Sequence, residues 1–177
     1  MVLENDSMLE ELITSKTRLR LLLKFFISQA NRGYLNGLAS EMGESTNAIR
    51  KELNHLQNAG YLEKTRTHNK VEYKVNTKHP MYEVLRKVVL KHLGIEDIVE
   101  VVLERMGNVQ QIILVGDYAE GQDSGHIEVI LVGSNLNMDY IAQLEEKIKE
   151  LIKRNVSFYL TSTFINNRNH IVLYEGN

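Results

Sequence analysis

Residues 38–60 read LASEMGESTNAIRKELNHLQNAG. The spacing predicts a short helix over Leu38–Met42, a tight turn at Gly43–Glu44, and a longer helix that closes at Gly60. Ser45 or Thr46 stands where a hydroxyl accepts from the first free backbone N–H groups of that second helix. Gly60 follows the last periodic residue, where a left-handed position costs glycine least. At about 100° per residue, Ile49, Leu53 and Leu56 fall together and are expected to bury. Thr46, Asn47, Arg50, Lys51, Asn54, Gln57 and Asn58 fall on the other side, and Glu52 points elsewhere.

A helix, a short turn with glycine and a second helix form a helix-turn-helix. A face of Arg, Lys, Asn, Gln and Thr without a carboxylate suits hydrogen bonding to base edges and phosphates. A solvated helix face has the same composition, so the rest of the chain must decide. The 177 residues carry a net charge of −2 that hides a division. Residues 1–95 hold 15 basic against 10 acidic side chains, and residues 96–177 hold 6 against 13. From Ser15 to His92 the balance is +9. Such asymmetry suggests two domains, the first of which meets a polyanion.

With 43% hydrophobic and 25% charged residues the composition is that of an ordinary globular protein. No run of about 18 apolar residues is present, so no membrane span is expected. The segment MVLENDSMLEE is acidic and lacks the basic and apolar regions of a secretory signal. The absence of cysteine excludes disulfides, a thiolate nucleophile and cysteine-based zinc sites. A cytoplasmic protein is the expectation.

Working outward, Met8, Leu9, Leu12 and Ile13 form an apolar stripe at helical spacing. Ser15 opens the segment KTRLRLLLKFFISQA, predicted as a core helix through Leu19, Leu22, Leu23, Phe26 and Ile27 that ends at the Asn31–Arg32–Gly33 turn. Lys16, Arg18, Arg20 and Lys24 fill its remaining positions as a mostly solvated basic face. Beyond Gly60, Leu62, Lys64 and Arg66 alternate, as do Val71, Tyr73 and Val75, around a turn at His68–Asn69–Lys70. Two alternating runs about a polar turn predict a β-hairpin. Its basic tip, with Arg66, His68, Asn69 and Lys70, suits a phosphate or a neighbouring minor groove. Pro80 is expected in the first turn of the next helix. Met81, Val84, Leu85, Val88, Val89 and His92 line one side of that helix down to Gly94.

Residues 15–92 resemble an ArsR- or MarR-like winged helix-turn-helix of bacterial or archaeal transcription regulators. The likeness rests on element order and on STNAIRKELNHLQNAGYLEK, which looks like the passage from recognition helix into wing. It implies binding of double-stranded DNA through Ser45, Thr46, Asn47, Arg50, Lys51 and Asn54 and through the hairpin tip. The paired metal ligands of metal-sensing members are absent from the recognition helix, so metal sensing is not implied.

In the second half, Ile95–Met106 reads as an apolar helix with Ile98, Val99, Val101, Val102 and Leu103 buried on several sides. Ile112–Val115 and Ile127–Val132 read as buried strands. Asn137 is placed to cap a helix carrying Ile141, Leu144, Ile148, Leu151 and Ile152, and strands at Val156–Leu160 and Ile171–Tyr174 follow. Gly116 to Gly133 is similar to the signature of the small nucleotidyltransferase fold. In that family a Gly-Ser pair after the first strand holds the triphosphate, and an Asp-x-Asp on the next strand binds two metals with a further carboxylate from the strand after the helix. Two ions about 4 Å apart need hard carboxylate oxygens. Here Gly116 is followed by Asp117, His126 and Glu128 replace the acidic pair, and no Asp or Glu lies between Glu150 and Glu175.

The expectation is therefore an α+β chain of two domains. Residues 1–94 form a winged helix-turn-helix, and residues 95–177 a small mixed α/β nucleotidyltransferase-like sheet domain with a degenerate site at Gly116, Asp117, His126 and Glu128. The expected function is a dimeric DNA-binding regulator whose inactive second domain serves sensing of a small-molecule effector or assembly, with no cofactor and no metal. The alternative is an active nucleotidyltransferase using Glu128 and targeted by its winged helix. A winged helix used for protein contacts is a third reading.

Overall fold

A computed structural model describes residues 5–177, with side chains from Leu9 onward. The chain divides into two compact units, one up to Val89 and one from Leu90. The expected break at 94/95 falls inside the second.

The first unit contains α1 (Asn5–Leu12), α2 (Lys16–Phe26), β1 (Gly33–Tyr34), α3 (Leu35–Met42), α4 (Thr46–Asn58), β2 (Leu62–Thr67) and β3 (Lys70–Val75). α5 (Tyr82–Leu93) carries the chain into the second unit. The three strands form an antiparallel sheet in the order β1-β3-β2. Leu21, Phe25, Phe26 and Ile27 are fully buried with Leu38, Ile49 and Leu53. Each such side chain contributes roughly 1.5–3 kcal/mol.

Several expectations are corrected. α2 ends at Phe26 instead of running on to the Asn31 turn. The buried Asn31 amide donates to Lys24 O at 2.8 Å and supplies the terminal carbonyl with a partner. Leu22 is only half-buried, whereas Leu21 and Phe25 take core positions. Pro80 lies ahead of α5 in the preceding turn, where His79 Nδ1 accepts from Met81 N at 3.1 Å. The stripe expected on one side of α5 splits: Val89 and His92 are buried, but Met81, Val84 and Val88 are exposed. Tyr82 turns inward instead, its ring 5.9 Å from that of Phe26. In the α1 stripe Leu12 is exposed; the side chain of Met8 lies outside the described residues.

The second unit holds α6 (Ile95–Arg105), β4 (Asn108–Val115), β5 (His126–Ser134), α7 (Ile141–Ile152), β6 (Asn155–Thr161) and β7 (Ile171–Glu175). Its sheet has the order β6-β5-β4-β7, antiparallel except for the β5–β6 pair. That parallel pair needs a crossover, which α7 supplies. Ile113, Val115, Ile130 and Val132 share one sheet face beneath Phe164. By alternation Ile112, Leu114, Val129 and Leu131 occupy the opposite face. Asn137 does not cap α7: its side chain makes no cap bond, and a 3-10 turn over Met138–Tyr140 intervenes. Leu103 and Leu151, expected inside, are exposed.

One part-buried charge cluster ties the crossover to the loop before β5. Arg154 Nε and Nη2 donate to the Asp123 carboxylate at 3.0 and 2.9 Å, and the Tyr118 hydroxyl donates to Asp123 as well. Burial pushes the Asp123 carboxyl up, but hydrogen bonds from Arg154 and Tyr118 outweigh it and hold the group below its ordinary value. Burial, together with Asp123, pushes the Tyr118 hydroxyl well above the usual phenol range.

Candidate nucleic-acid interface and the polar mouth of the second unit

Gly43 ends α3 with φ +63°, donating to the carbonyls of Ala39 and Ser40. That left-handed residue lets the chain reverse within three residues. Ser45 Oγ then accepts from Ala48 N at 3.1 Å, so this hydroxyl is the cap of α4. Ile49, Leu53 and Leu56 bury inward. Ser45, Thr46, Asn47, Arg50, Lys51 and Asn54 are consequently exposed. Arg50 Nη1 donates to Asn47 Oδ1 at 3.1 Å, which lays two of these side chains along one line.

The helix-turn-helix is bolted to α2 by charges expected to be solvated. Arg18 Nε donates to Glu52 Oε2 at 2.8 Å, and Ser15 Oγ to Glu52 Oε1 at 3.1 Å. Lys24, itself buried, donates to Glu41 Oε1 at 2.9 Å. Arg20 donates to Met42 O at 2.9 Å and reaches Glu44 at 3.4 Å. Burial raises the Glu52 carboxyl, but the bonds from Arg18 and Ser15 prevail and hold it below its ordinary value. These pairs tie α3 and α4 to α2 and give three cations carboxylate partners within the unit.

The hairpin follows at once. Thr67 pairs with Lys70, so the turn is His68–Asn69 and Lys70 belongs to β3, not to the turn. His68 has φ +55°, a conformation that L residues seldom adopt. Lys64, Arg66, His68, Asn69 and Lys70 are exposed. Lys70 Nζ lies 5.6 Å from the centroid of the Tyr34 ring. Glu72 lies mid-way along the hairpin, accepting from Tyr34 at 2.8 Å and lying 3.4 Å from Arg32. The hydrogen bond to Glu72 raises the Tyr34 hydroxyl above the ordinary phenol value. Among the described residues Arg50, Lys51, Lys64 and Arg66 form no ion pair, and they lie on α4 and the β2 strand of the hairpin.

In the second unit Gly116 takes φ +71° directly after β4. A Cβ there would collide with the Glu128 carboxylate, which lies over the glycine. Asp117 points to solvent. His126 and Glu128 share a face of β5, each with a neighbour on β6: His126 Nε2 is 3.1 Å from Ser157 Oγ, and Tyr159 donates to Glu128 at 3.4 Å. The position abreast of Glu128 on β6 is Ser157. Among the described residues no three His, Asp or Glu side chains gather closely enough to hold a metal ion.

No protein family and no curated protein matches the chain. Two solved structures overlap about half of it. Reduced HlyU from Vibrio cholerae N16961 is 16% identical, covers 49% of this chain and 86% of its own, and gives a TM-score of 0.38. The AntR antimony-specific transcriptional repressor is 24% identical, covers 53% of this chain and 79% of its own, and also gives 0.38. The winged-helix description of the first unit rests on its own element order, its Gly43 turn and its β2–β3 hairpin. No described helix is long and apolar enough to cross a membrane.

Proposed function

We propose that the chain is a DNA-binding transcriptional regulator that reads double-stranded DNA through α4 and the β2–β3 hairpin. The observation that carries the reading is the division among the cations of the first unit. Arg18, Arg20 and Lys24 are paired with carboxylates of the same unit, while Arg50, Lys51, Lys64 and Arg66 stand exposed without an ion-pair partner. Arg50 and Lys51 share their helix face with Thr46, Asn47 and Asn54, a mix that serves both phosphate positioning and base reading.

One such reader contacts few base pairs, and a dimer facing two half-sites is the usual remedy. Exposed Met81, Val84 and Val88, spaced as one helix stripe, and exposed Leu12 support a homodimer. The second unit is read as a nucleotidyltransferase-like sheet that has lost catalysis and serves sensing or assembly. The lone Glu128 over Gly116 and the serine abreast of it support that reading.

Selection of bound duplexes from a random pool tests the proposal. It should converge on an inverted repeat whose half-sites lie about 10 base pairs, or a multiple, apart. Failure to enrich any duplex over a control protein would overturn it.

A further inference from the structure

Beyond Glu128 on the same face of β5 comes Ile130, and there the surface opens into a cleft of about 390 Å³. We propose that this cleft binds a small aromatic carboxylate. The volume falls within the roughly 300–1,000 Å³ of small-molecule sites. Ile130 and Phe164 make an apolar floor continuous with the core, and Tyr159 contributes a wall. Ile165 on the rim is 75% exposed and Tyr159 49% exposed. Two large apolar surfaces left open beside an apolar floor favour a flat hydrocarbon body between them.

The charge on the cleft selects the other end of the ligand. Its lining holds one cation, Arg168, and no carboxylate. Arg168 forms no ion pair among the described residues, and a guanidinium matches a carboxylate with two parallel hydrogen bonds. A single guanidinium without a second cation suits a singly charged group better than a phosphate.

Local contacts hold part of the rim. Thr161 Oγ1 donates to Thr163 O at 2.7 Å, and the Phe164 and His170 rings meet edge to face at 5.0 Å. Asn169 Nδ2 donates to Ala119 O at 3.4 Å. The inference gives a ligand class to the sensing role proposed above and rests on that reading only for its regulatory meaning. Binding is measured without DNA, so its failure and a failure of the DNA reading are separate results.

The full chain would be titrated calorimetrically with 1-naphthoate, 1-naphthamide and 1-naphthylmethylamine. Saturable 1:1 binding of the naphthoate is expected, with affinity about tenfold or more weaker for the amide and the amine, which cannot accept from a guanidinium as an anion does. Arg168→Gln should weaken the naphthoate by a similar factor while leaving the urea midpoint unchanged, since the residue is exposed. Arg50→Ala should bind the naphthoate like the parent. Absence of saturable naphthoate binding, equal binding of the neutral amide, or undiminished binding by Arg168→Gln would overturn the proposal.

Discussion

On α4 the side chains of Arg50 and Lys51 extend into solvent without an acidic partner, whereas on β5 His126 and Glu128 are each held by a neighbour on β6. Both are polar faces placed at the surface by a well-packed apolar opposite face. The difference lies in what each has left to offer. The helix presents unpaired cations and amides, so a polyanion can supply their missing partners. The strand presents groups each engaged with a neighbour on β6, with one carboxylate where a two-metal site needs several. Exposed charge marks a functional face only after internal pairs have been subtracted. By that measure the first unit has a free surface and the mouth at β5 does not.

The largest effects are expected from the pairs that hold each region in place. Arg154 is only 8% exposed, and replacing it by Met removes both guanidinium hydrogen bonds from the part-buried Asp123. Arg154→Met should cost the second unit about 2–4 kcal/mol. Arg18→Met should cost the first unit less, about 1–2 kcal/mol, because Arg18 is 36% exposed and water screens the pair. Urea titrations read by amide signals of β5 and of α4 would separate the two. Equal losses in both units from either variant would contradict the independence of the clamps.

Acid provides a gentler perturbation. The Asp123 and Glu52 carboxyls are both held below their ordinary values in the folded chain. A depressed carboxyl contributes stability that is fully present above its unfolded pKa and lost as pH falls through the folded one. Each unit should therefore weaken below about pH 4. Asp123→Asn should flatten that dependence for the second unit only, and Glu52→Gln for the first only. Thermal melts between pH 2 and 6, on a scale set by the carboxylates, would check this.

The smallest expected effect is none. Incubating the parent with labelled nucleoside triphosphates and Mg²⁺ or Mn²⁺ should give no transfer, and Glu128→Ala should leave DNA affinity unchanged. Transfer that Glu128→Ala abolishes would make the β5 mouth an active centre and reverse the comparison.

The elements that position α4 and the hairpin were legible because their signals are local: a capping serine, a glycine turn and two clean periods. The pairs that orient them were not. Arg18 and Glu52 stand 34 residues apart, and nothing in either neighbourhood announces the other. α5 misled for a different reason. It is apolar on more than one side, and which stripe is buried depends on Phe26, which meets Tyr82 and leaves Met81, Val84 and Val88 outside. Asn137 carried a cap signal, but the chain makes a 3-10 turn first. The segment holding Phe164 and Arg168 has no period at all, so a cleft against Ile130 and Tyr159 had no trace in the sequence.

Arg50 and Lys51 are proposed to meet DNA phosphates or bases. Fluorescence anisotropy of a labelled duplex, titrated with the parent, Arg50→Ala and Lys51→Ala across a salt series, tests it most directly. Each substitution should weaken binding, and where the cation contacts a phosphate the slope of log K against log salt should fall by about 0.9. Unchanged affinity and unchanged slope in both variants would contradict the account.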